Sequence, residues 1–526
     1  MAGSAKLPMN ERAEAPRQRV QSPPWAARLG LVAGPVLALA AWQALPAELA
    51  SSARACAGVA VLMAVWWMTE AIPLEATALL PLVLLPLTGV YPHEPFKRVA
   101  APYADPAIFL FLGGFVIALA IERWGLHRRL ALGTLLVVGT SPARLVGGFM
   151  LATALVSMWI SNTATTVMML PIALAVVHLL GDALGQSAGP PAGSGGGRPA
   201  ASPDAARFAT SLLLGVAYAA SLGGFATLVG TPPNVFFKGY LHDRQIELDF
   251  GRWMLFACPL SLLYLALGWW LMTRWLFPVR LRVIPGGREL IAAQWRALGK
   301  PSRGEWIVLV VFLTTAGLWI GSGPLKRWEW LATHLPLIQK IDDYWIAMAG
   351  ALSLFLIPVD PARHEFAVDW KTAAQLPWGV LLLFGGGLSL AAALTDSGLA
   401  AWLGRQAVAV RHWPALAQIV LIVAVIVITG ELTNNLAAVV ALLPILFEAA
   451  RGMGHDPLLL CVPAVVAASC GFMLPVATPP NAIVFGTGHI RLGQMIWAGL
   501  WLDLLAVVLV PGGTWLWGRA VLGLGG

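Results

Sequence analysis

The sequence predicts an all-α polytopic membrane protein organised around an internal repeat with interrupted helices. Three observations carry that prediction. Of 526 residues, 58% are hydrophobic and 11% charged, against about 25% charged in a soluble domain, so a soluble chain of this composition could not keep its surface wetted. Apolar runs are many and long, among them residues 306–320, 344–358, 378–394 and 416–428. Polar clusters recur at matched places inside the most apolar stretches.

Several runs, with their less apolar ends, have the roughly 20 residues a helix needs to cross a hydrocarbon core of about 30 Å. In lipid the backbone must satisfy its own hydrogen bonds, which leaves helices or a closed barrel. The alternating polarity of barrel strands is absent. Residues 1–27 form a polar tail with Pro and Arg, too long and polar for an ordinary cleaved signal, and are expected to be a disordered cytoplasmic arm. Cys56, Cys258, Cys461 and Cys470 lie in or beside apolar segments without CxxC spacing, so neither a metal site nor a disulfide framework is expected. The net charge of +8 comes from basic membrane-adjacent loops, not from a nucleic-acid face. Lys6, Arg12, Arg17, Arg19 and Arg28, then Arg123, Arg128 and Arg129, then Arg280, Arg282, Arg288, Arg296, Lys300 and Arg303 form the basic clusters. They place the N-terminus in the cytoplasm and the C-terminus outside, in the plasma (inner) membrane.

The repeat is read by alignment. FLGGFVIALAIERWGL (residues 111–126) matches FGGGLSLAAALTDSGL (384–399) at an offset of 273, pairing Gly113 with Gly386 and Gly114 with Gly387. The same offset carries Asn162 onto Asn435 and Pro171 onto Pro444. GGFATLVGTPPN (223–234) resembles CGFMLPVATPPN (470–481) at an offset of 247, so the first half is 26 residues longer. The Gly-, Pro-, Ser- and Ala-rich stretch 181–207 accounts for the surplus and reads as a flexible loop. Each half thus holds a GG-containing helix, a hairpin-like stretch with polar residues at its middle, and a helix broken at TPPN. An odd number of crossings between the copies turns one upside down. Inverted repeats with interrupted helices mark secondary transporters, whose site lies near the midplane.

Pro232 and Pro233 donate no backbone hydrogen bond and disfavour helix in the preceding residue. Breaks are therefore expected around residues 230–233 and 477–480. Unwinding frees backbone groups inside the membrane, tolerated only where they are paired or line a cavity. Ser161-Asn162-Thr163 and Asn434-Asn435 have the composition of N-caps for the apolar helices that follow. Capping alone would not require the double proline or the repeated asparagine. No Lys, Arg, Asp or Glu lies in these segments; the nearest is Glu431. A helix N-terminus stabilises an anion by about 0.3–1 kcal/mol, and by ~2 kcal/mol when partly buried, whereas burying a carboxylate costs several kcal/mol. A dianion there needs positive charge brought in with it. Freed carbonyls and asparagine oxygens are hard ligands that suit Na⁺.

WWMTEAIPLEATALLPLVLLPLTG (66–89), FLGGFVIALAIERWGLHRRLAL (111–132), SNTATTVMMLPIAL (161–174) and the two TPPN segments resemble the divalent anion/sodium symporter family of dicarboxylate, citrate and sulfate transporters, over most of the chain. The resemblance implies about eleven transmembrane helices plus two re-entrant hairpins, scaffold and transport domains, an elevator motion and a homodimer. The corresponding division is scaffold helices over 28–105, a first repeat core over 106–252, scaffold helices and linking loops over 253–376, a second core over 377–490 and a last helix over 491–526. It further implies an anion held by Ser161, Asn162, Thr163, Thr231, Pro232, Asn434, Asn435, Thr478 and Pro479. One sodium would use Ser157, Ser161, Asn162 and Gly230; the other would use Asn435 and backbone around Thr433 and Ala477. The second half departs from the pattern: Leu436 replaces a hydroxyl, and Gly430 stands at the position matching Ser157. Thr429 or Thr433 are the candidate substitutes there, and a smaller anion such as sulfate gains weight.

Among other residues, Glu70 and Glu75 flank Pro73 at a helix junction and read as structural. Glu122, Arg123, His127, Arg128 and Arg129 read as an amphipathic cytoplasmic connector. His178, alone on an apolar face, reads as packed, while Glu431 and Asp396 are placed near the second hairpin. No HExxH or P-loop pattern supports an enzyme, and no organic cofactor is implied. The expected function is sodium-coupled symport of divalent anions such as succinate, or sulfate. Proton-coupled or exchange transport, or an anion channel on the same scaffold, are the alternatives.

Overall fold

A computed structural model describes residues 24–139, 141–183, 203–278, 286–334, 336–406 and 411–524. Most of the polar tail and of the Gly/Pro-rich loop lie outside the described residues. The protein is all-α apart from a two-stranded antiparallel ribbon that pairs Pro358 with Phe366. Eleven helices among the described residues are long and apolar enough to cross a membrane. Shorter apolar helices occur at Leu74–Leu87, Pro142–Ser157, Asp343–Leu356 and Leu458–Ala467.

The elements that position the site are these, in chain order. Helices α1 (Pro24–Ala44), α2 (Ser51–Thr69) and α3 (Leu74–Leu87) come first. The GG helix α4 (Pro106–Arg123) and a connector α5 (Leu126–Val138) follow. The first hairpin is α6 (Pro142–Ser157) and α7 (Asn162–Ala183). The first broken helix is α8 (Pro203–Gly224) and α9 (Pro232–His242). Then come α10 (Phe250–Trp270), α11 (Arg303–Arg327) and α12 (Asp343–Leu356). The second GG helix is α13 (Trp378–Asp396), the second hairpin α14 (Ala415–Leu432) and α15 (Asn435–Met453). The second broken helix is α16 (Leu458–Ala467) and α17 (Pro479–Phe485), followed by α18 (Leu492–Gly513).

Local chemistry explains several boundaries. Asp105 caps α4 by accepting from the Ala107 amide at 2.8 Å, with Pro106 at the first helical position. Ser302 and Glu305 form a capping box at the start of α11. Glu305 then pairs with Arg129 of α5 at 2.9 Å. Arg123, at the end of α4, pairs with Asp369 at 2.9 Å. The charged connector expected from the sequence is therefore a corner tied to two other segments. Glu70 ends α2 in the left-handed conformation (φ 48°) and Glu75 lies in the first turn after Pro73, as the junction reading required. Asp396 accepts a hydrogen bond from the Tyr91 hydroxyl at 3.1 Å. His178 is exposed, not packed, and its ring centroid lies 6.1 Å from that of His489. It stands on the open side of α7, where the apolar neighbours in sequence point elsewhere.

The matched repeat glycines have matched roles. A Cβ on Gly113 would sit 2.6 Å from the Ala347 carbonyl group, and one on Gly386 2.2 Å from the Ala78 oxygen. So α4 rides on the backbone of α12, and α13 on that of α3, at distances only glycine permits. The halves also interlock. Helix α7 packs on α17, and α9 packs on α13 and α15, so each hairpin touches the short helix that follows the other half's break. Aromatic side chains fill the space behind: Tyr218 of α8 and Tyr264 of α10 meet Phe472 edge-on at 5.1 and 6.0 Å.

One buried ion pair joins α9 to α12. Lys238 Nζ donates to Asp343 Oδ2 and, at 3.1 Å, to the Leu248 carbonyl; the two side chains are 8% and 7% exposed. Removing one partner leaves an uncompensated buried charge, which costs about 3–5 kcal/mol. Lys238→Ala is expected to lower thermal stability in detergent by about that amount. The double change Lys238→Met with Asp343→Leu is expected to restore most of it.

Candidate functional site

The first half brings its polar residues together at one point. Ser157 ends α6, and its Oγ lies 2.7 Å from both Asn162 Oδ1 and the Ala220 carbonyl oxygen. Ser161 caps α7, its Oγ accepting from the Ala164 amide at 3.3 Å, and Asn162 is the first helical residue. Thr163 is exposed beside it. The tip is stitched to the broken helix by Thr227, whose hydroxyl donates to the Met158 oxygen at 2.5 Å and accepts from the Gly230 amide at 3.0 Å. A Cβ on Gly224 would lie 2.4 Å from Asn162 Oδ1, so the absence of a side chain there lets the hairpin tip reach the end of α8.

The breaks lie earlier than the sequence placed them. Non-helical backbone spans residues 225–231 and 468–478, and Pro232 and Pro479 are the first residues of new helices. A proline at the first helical position lacks only an N–H that would be unpaired anyway, and its fixed φ suits the helix. Thr231 and Thr478 precede the prolines in the same extended conformation, with φ of −143° and −142°. Both are buried.

Asparagine holds both gaps in the same way. Asn234 Nδ2 donates to the Phe225 oxygen at 3.1 Å and to the Thr227 oxygen at 2.7 Å. Asn481 Nδ2 donates to the Gly471 and Leu474 oxygens, each at 3.1 Å. Each clip crosses its own unwound stretch, and both side chains are fully buried. In the first half α10 supplies further donors: Trp253 Nε1 to the Phe225 oxygen at 3.1 Å, Ser261 Oγ to Leu222 at 2.6 Å and Cys258 Sγ to Ala226 at 3.4 Å. The oxygens Asn234 Oδ1, Asn481 Oδ1 and Asn435 Oδ1 are left without a donor.

The second half is looser at its tip. Asn434 caps α15 by accepting from the Leu436 amide at 3.0 Å. A Cβ on Gly430 would lie 3.9 Å from Asn435 Oδ1 and 4.0 Å from the Ala468 oxygen, so there is room where Ser157 stands in the first half. Of the two candidate substitutes, Thr433 is the buried one, its hydroxyl donating to the Thr429 oxygen at 3.0 Å. Thr478 accepts from the Asn481 amide at 3.4 Å, Ala477 is buried behind it, and Pro479 is exposed. Glu431 is buried, and its two carboxylate oxygens accept from the Met473 and Leu474 amides at 2.9 Å each. Among the described residues, no lysine or arginine side chain bonds to any residue of either set.

Sequence reading missed Thr227, the α10 donors and the amides bound by Glu431. Thr227 stood within GGFATLVGTPPN, three residues before Gly230, which is the signal that marks it. The arrangement presents two helix N-termini beside unwound, partly unpaired oxygens, with no lysine or arginine bonded to them and the Glu431 carboxyl group on the second gap. That suits a small cation next to an anion.

The chain resembles known proteins over most of its length. Residues 25–524 match the family model described as the sodium:sulfate symporter transmembrane region. The sodium-dependent dicarboxylate transporter SdcS of Staphylococcus saprophyticus is 40% identical over 487 residues, 92% of this chain and 89% of the relative. SdcS of Staphylococcus aureus is 38% identical over 486 residues, with the same coverage. Among solved structures, the YdaH transporter of Alcanivorax borkumensis matches with a TM-score of 0.55 at 14% identity, covering 88% of this chain and 99% of that one. The Neisseria gonorrhoeae MtrF structure matches with a TM-score of 0.51 at 11% identity, covering 82% and 84%. These two likenesses show the fold.

The asparagine clips yield a stability prediction. Asn481→Ala leaves the Gly471 and Leu474 oxygens without their donor, at about 1–3 kcal/mol for a buried unsatisfied group. Thermal unfolding in detergent is expected to show that loss. Asn434→Ala, at an exposed cap, is expected to cost about 0.5–2 kcal/mol.

Proposed function

The chain belongs to the sodium:sulfate symporter family, and from that premise we propose that it carries dicarboxylates such as succinate into the cell together with sodium. It is an integral membrane transporter, not an enzyme. One observation carries the finer reading: two matched hairpin tips and two clipped gaps offer neutral oxygens and helix N-termini, with no cationic side chain bonded to them. Helix ends supply about 0.3–2 kcal/mol each toward an anion, less than the several kcal/mol that burying a carboxylate costs. Co-bound sodium makes up the difference. Between dicarboxylate and sulfate, the relatives' named substrate favours the dicarboxylate.

In this reading Ser161, Asn162, Thr163, Thr231 and Pro232 face one carboxylate, and Asn434, Asn435, Thr478 and Pro479 face the other. The first sodium uses Ser157, Ser161, Asn162 and the Gly230 backbone. The second uses Asn435 and the backbone at Thr433 and Ala477, with Thr433 standing in for the hydroxyl that Gly430 lacks. The copies are inverted repeats. With the hairpins re-entrant, the arms Asn162–Leu180, Ala415–Leu432 and Asn435–Met453 leave the eleven long helices, and Leu74–Leu87, Asp343–Leu356 and the broken helix from Leu458 take their places, which restores eleven crossings. The repeat cores (106–252 and 377–490) move as the transport domain against a scaffold (28–105 and 253–376) in an elevator motion. The protomers pair as homodimers in the inner membrane, N-terminus inside and C-terminus outside.

Reconstitution tests this. Labelled succinate uptake into proteoliposomes is expected to follow an inward sodium gradient and to saturate; uptake indifferent to sodium removes the reading. Gly224→Ala, which pushes a methyl group against Asn162, is expected to cut uptake by about tenfold or more, the effect of roughly 1.4 kcal/mol of lost binding. Normal uptake by that variant means the site lies elsewhere.

A further inference from the structure

The two hairpin tips differ at one matched position. In the first, Ser157 ends α6, fully buried, with its Oγ 2.7 Å from both Asn162 Oδ1 and the Ala220 carbonyl oxygen. In the second, the offset of 273 puts Gly430 in that place, buried in the last turn of α14. Neither packing nor backbone conformation calls for a glycine there. Its φ lies outside the left-handed region. A Cβ on it would make only ordinary contacts, with Asn435 Oδ1 at 3.9 Å and the Ala468 oxygen at 4.0 Å. By contrast, a Cβ on Gly113, Gly224 or Gly386 would lie 2.6 Å or less from a neighbouring atom. Glycine inside a helix is destabilising relative to alanine, so the room beside Gly430 is kept at a cost to α14.

We propose that Gly430 determines how the second sodium is held: it admits one ordered water molecule, which takes the part that the Ser157 hydroxyl takes in the first tip. The inference rests on the sodium-coupled reading above. Two oxygens face the place. Asn435 Oδ1 has no donor, and the Ala468 oxygen stands just past Ala467, the last residue of α16. Thr433 lends its oxygen to the cation in that reading, but its hydroxyl hydrogen is committed to the Thr429 oxygen at 3.0 Å. It therefore has no hydrogen left for Asn435. A water molecule has two hydrogens, one for each facing oxygen, and keeps both lone pairs for a cation. Buried waters hold about three polar partners, here the two oxygens and the cation.

The two cation sites then differ in kind. At the first, the hydroxyl belongs to the chain and is already held by its partners. At the second, one ligand is drawn from solvent and must be immobilised, a cost that a fixed hydroxyl does not carry. The second site is the weaker of the two and fills at higher sodium concentration. A serine at position 430 would bring its hydroxyl, one C–O bond beyond Cβ, within hydrogen-bonding reach of the same two oxygens. An alanine there would put a methyl group where the water sits and offer no hydrogen. Serine and alanine at this position therefore act on sodium binding in opposite directions.

Thermal unfolding of the full-length protein in detergent, followed as sodium replaces choline at constant ionic strength, tests this without measuring transport. Gly430→Ser is expected to lower the sodium concentration for half-maximal stabilisation by about three- to tenfold, within the cost of immobilising one water, and Gly430→Ala to raise it. Helix propensity alone ranks alanine above serine, so tighter sodium binding by the serine variant is no propensity effect. Should a variant at 430 fail to fold, the first tip carries the converse test. Ser157→Gly, which makes room for a water, is expected to keep sodium-dependent stabilisation at a raised midpoint, and Ser157→Ala to lose most of it. Equal sodium midpoints in the wild type, Gly430→Ser and Gly430→Ala overturn the proposal and leave the sodium reading standing. A first tip that responds alike to Ser157→Gly and Ser157→Ala also overturns it. A wild type that sodium does not stabilise at all removes the sodium reading, and the proposal with it.

Discussion

The structure depends on one constraint: where a helix stops inside a bilayer, its backbone groups must find partners within the protein. A lost peptide hydrogen bond in lipid costs several kcal/mol, and this chain stops two helices there. It resolves both with the same device. An asparagine one residue beyond the paired prolines turns back and ties two carbonyls of the gap it follows. The gaps therefore hold their shape without helix geometry, and some of their oxygens stay open. Rigid, partly unpaired oxygen is what a desolvated sodium ion requires. In the proposed function the stability problem and sodium binding have one solution.

Symmetry extends this logic across the molecule. The matched glycines let corresponding helices lie against the backbones of their neighbours, and each hairpin packs on the short helix behind the other half's break. The halves are not equal, however. The first is cross-linked by Ser157, Thr227 and the donors of α10. The second has a glycine where the serine would be, and relies on a buried glutamate that binds two amides. Hydroxyls hold one tip and a carboxyl group holds the other, which gives the two proposed cation sites different surroundings.

Much of this was legible in the sequence because it is local or periodic. Long apolar runs, a constant offset between the copies, and Ser161, Asn162, Asn434 and Asn435 at the starts of helices all follow from composition, spacing and capping chemistry. The gap positions were read a few residues late, since the eye stops at proline while the helix stops earlier and proline begins the next one. What the sequence could not display were contacts between distant segments. Trp253, Cys258 and Ser261 look like ordinary residues of an apolar helix until α10 is laid against the end of α8. His178 was misjudged for the same reason, because which face of α7 is covered depends on what lies beside it.

The central claim is that neutral groups at mid-membrane hold a dianion only in the company of sodium. Equilibrium binding of succinate to the purified protein, by calorimetry in sodium and then in a large inert cation such as choline, tests it most directly. The account predicts heat of binding in sodium, none in choline, and an affinity that rises with sodium concentration, as linkage requires. Equal succinate affinity in the two media would contradict it.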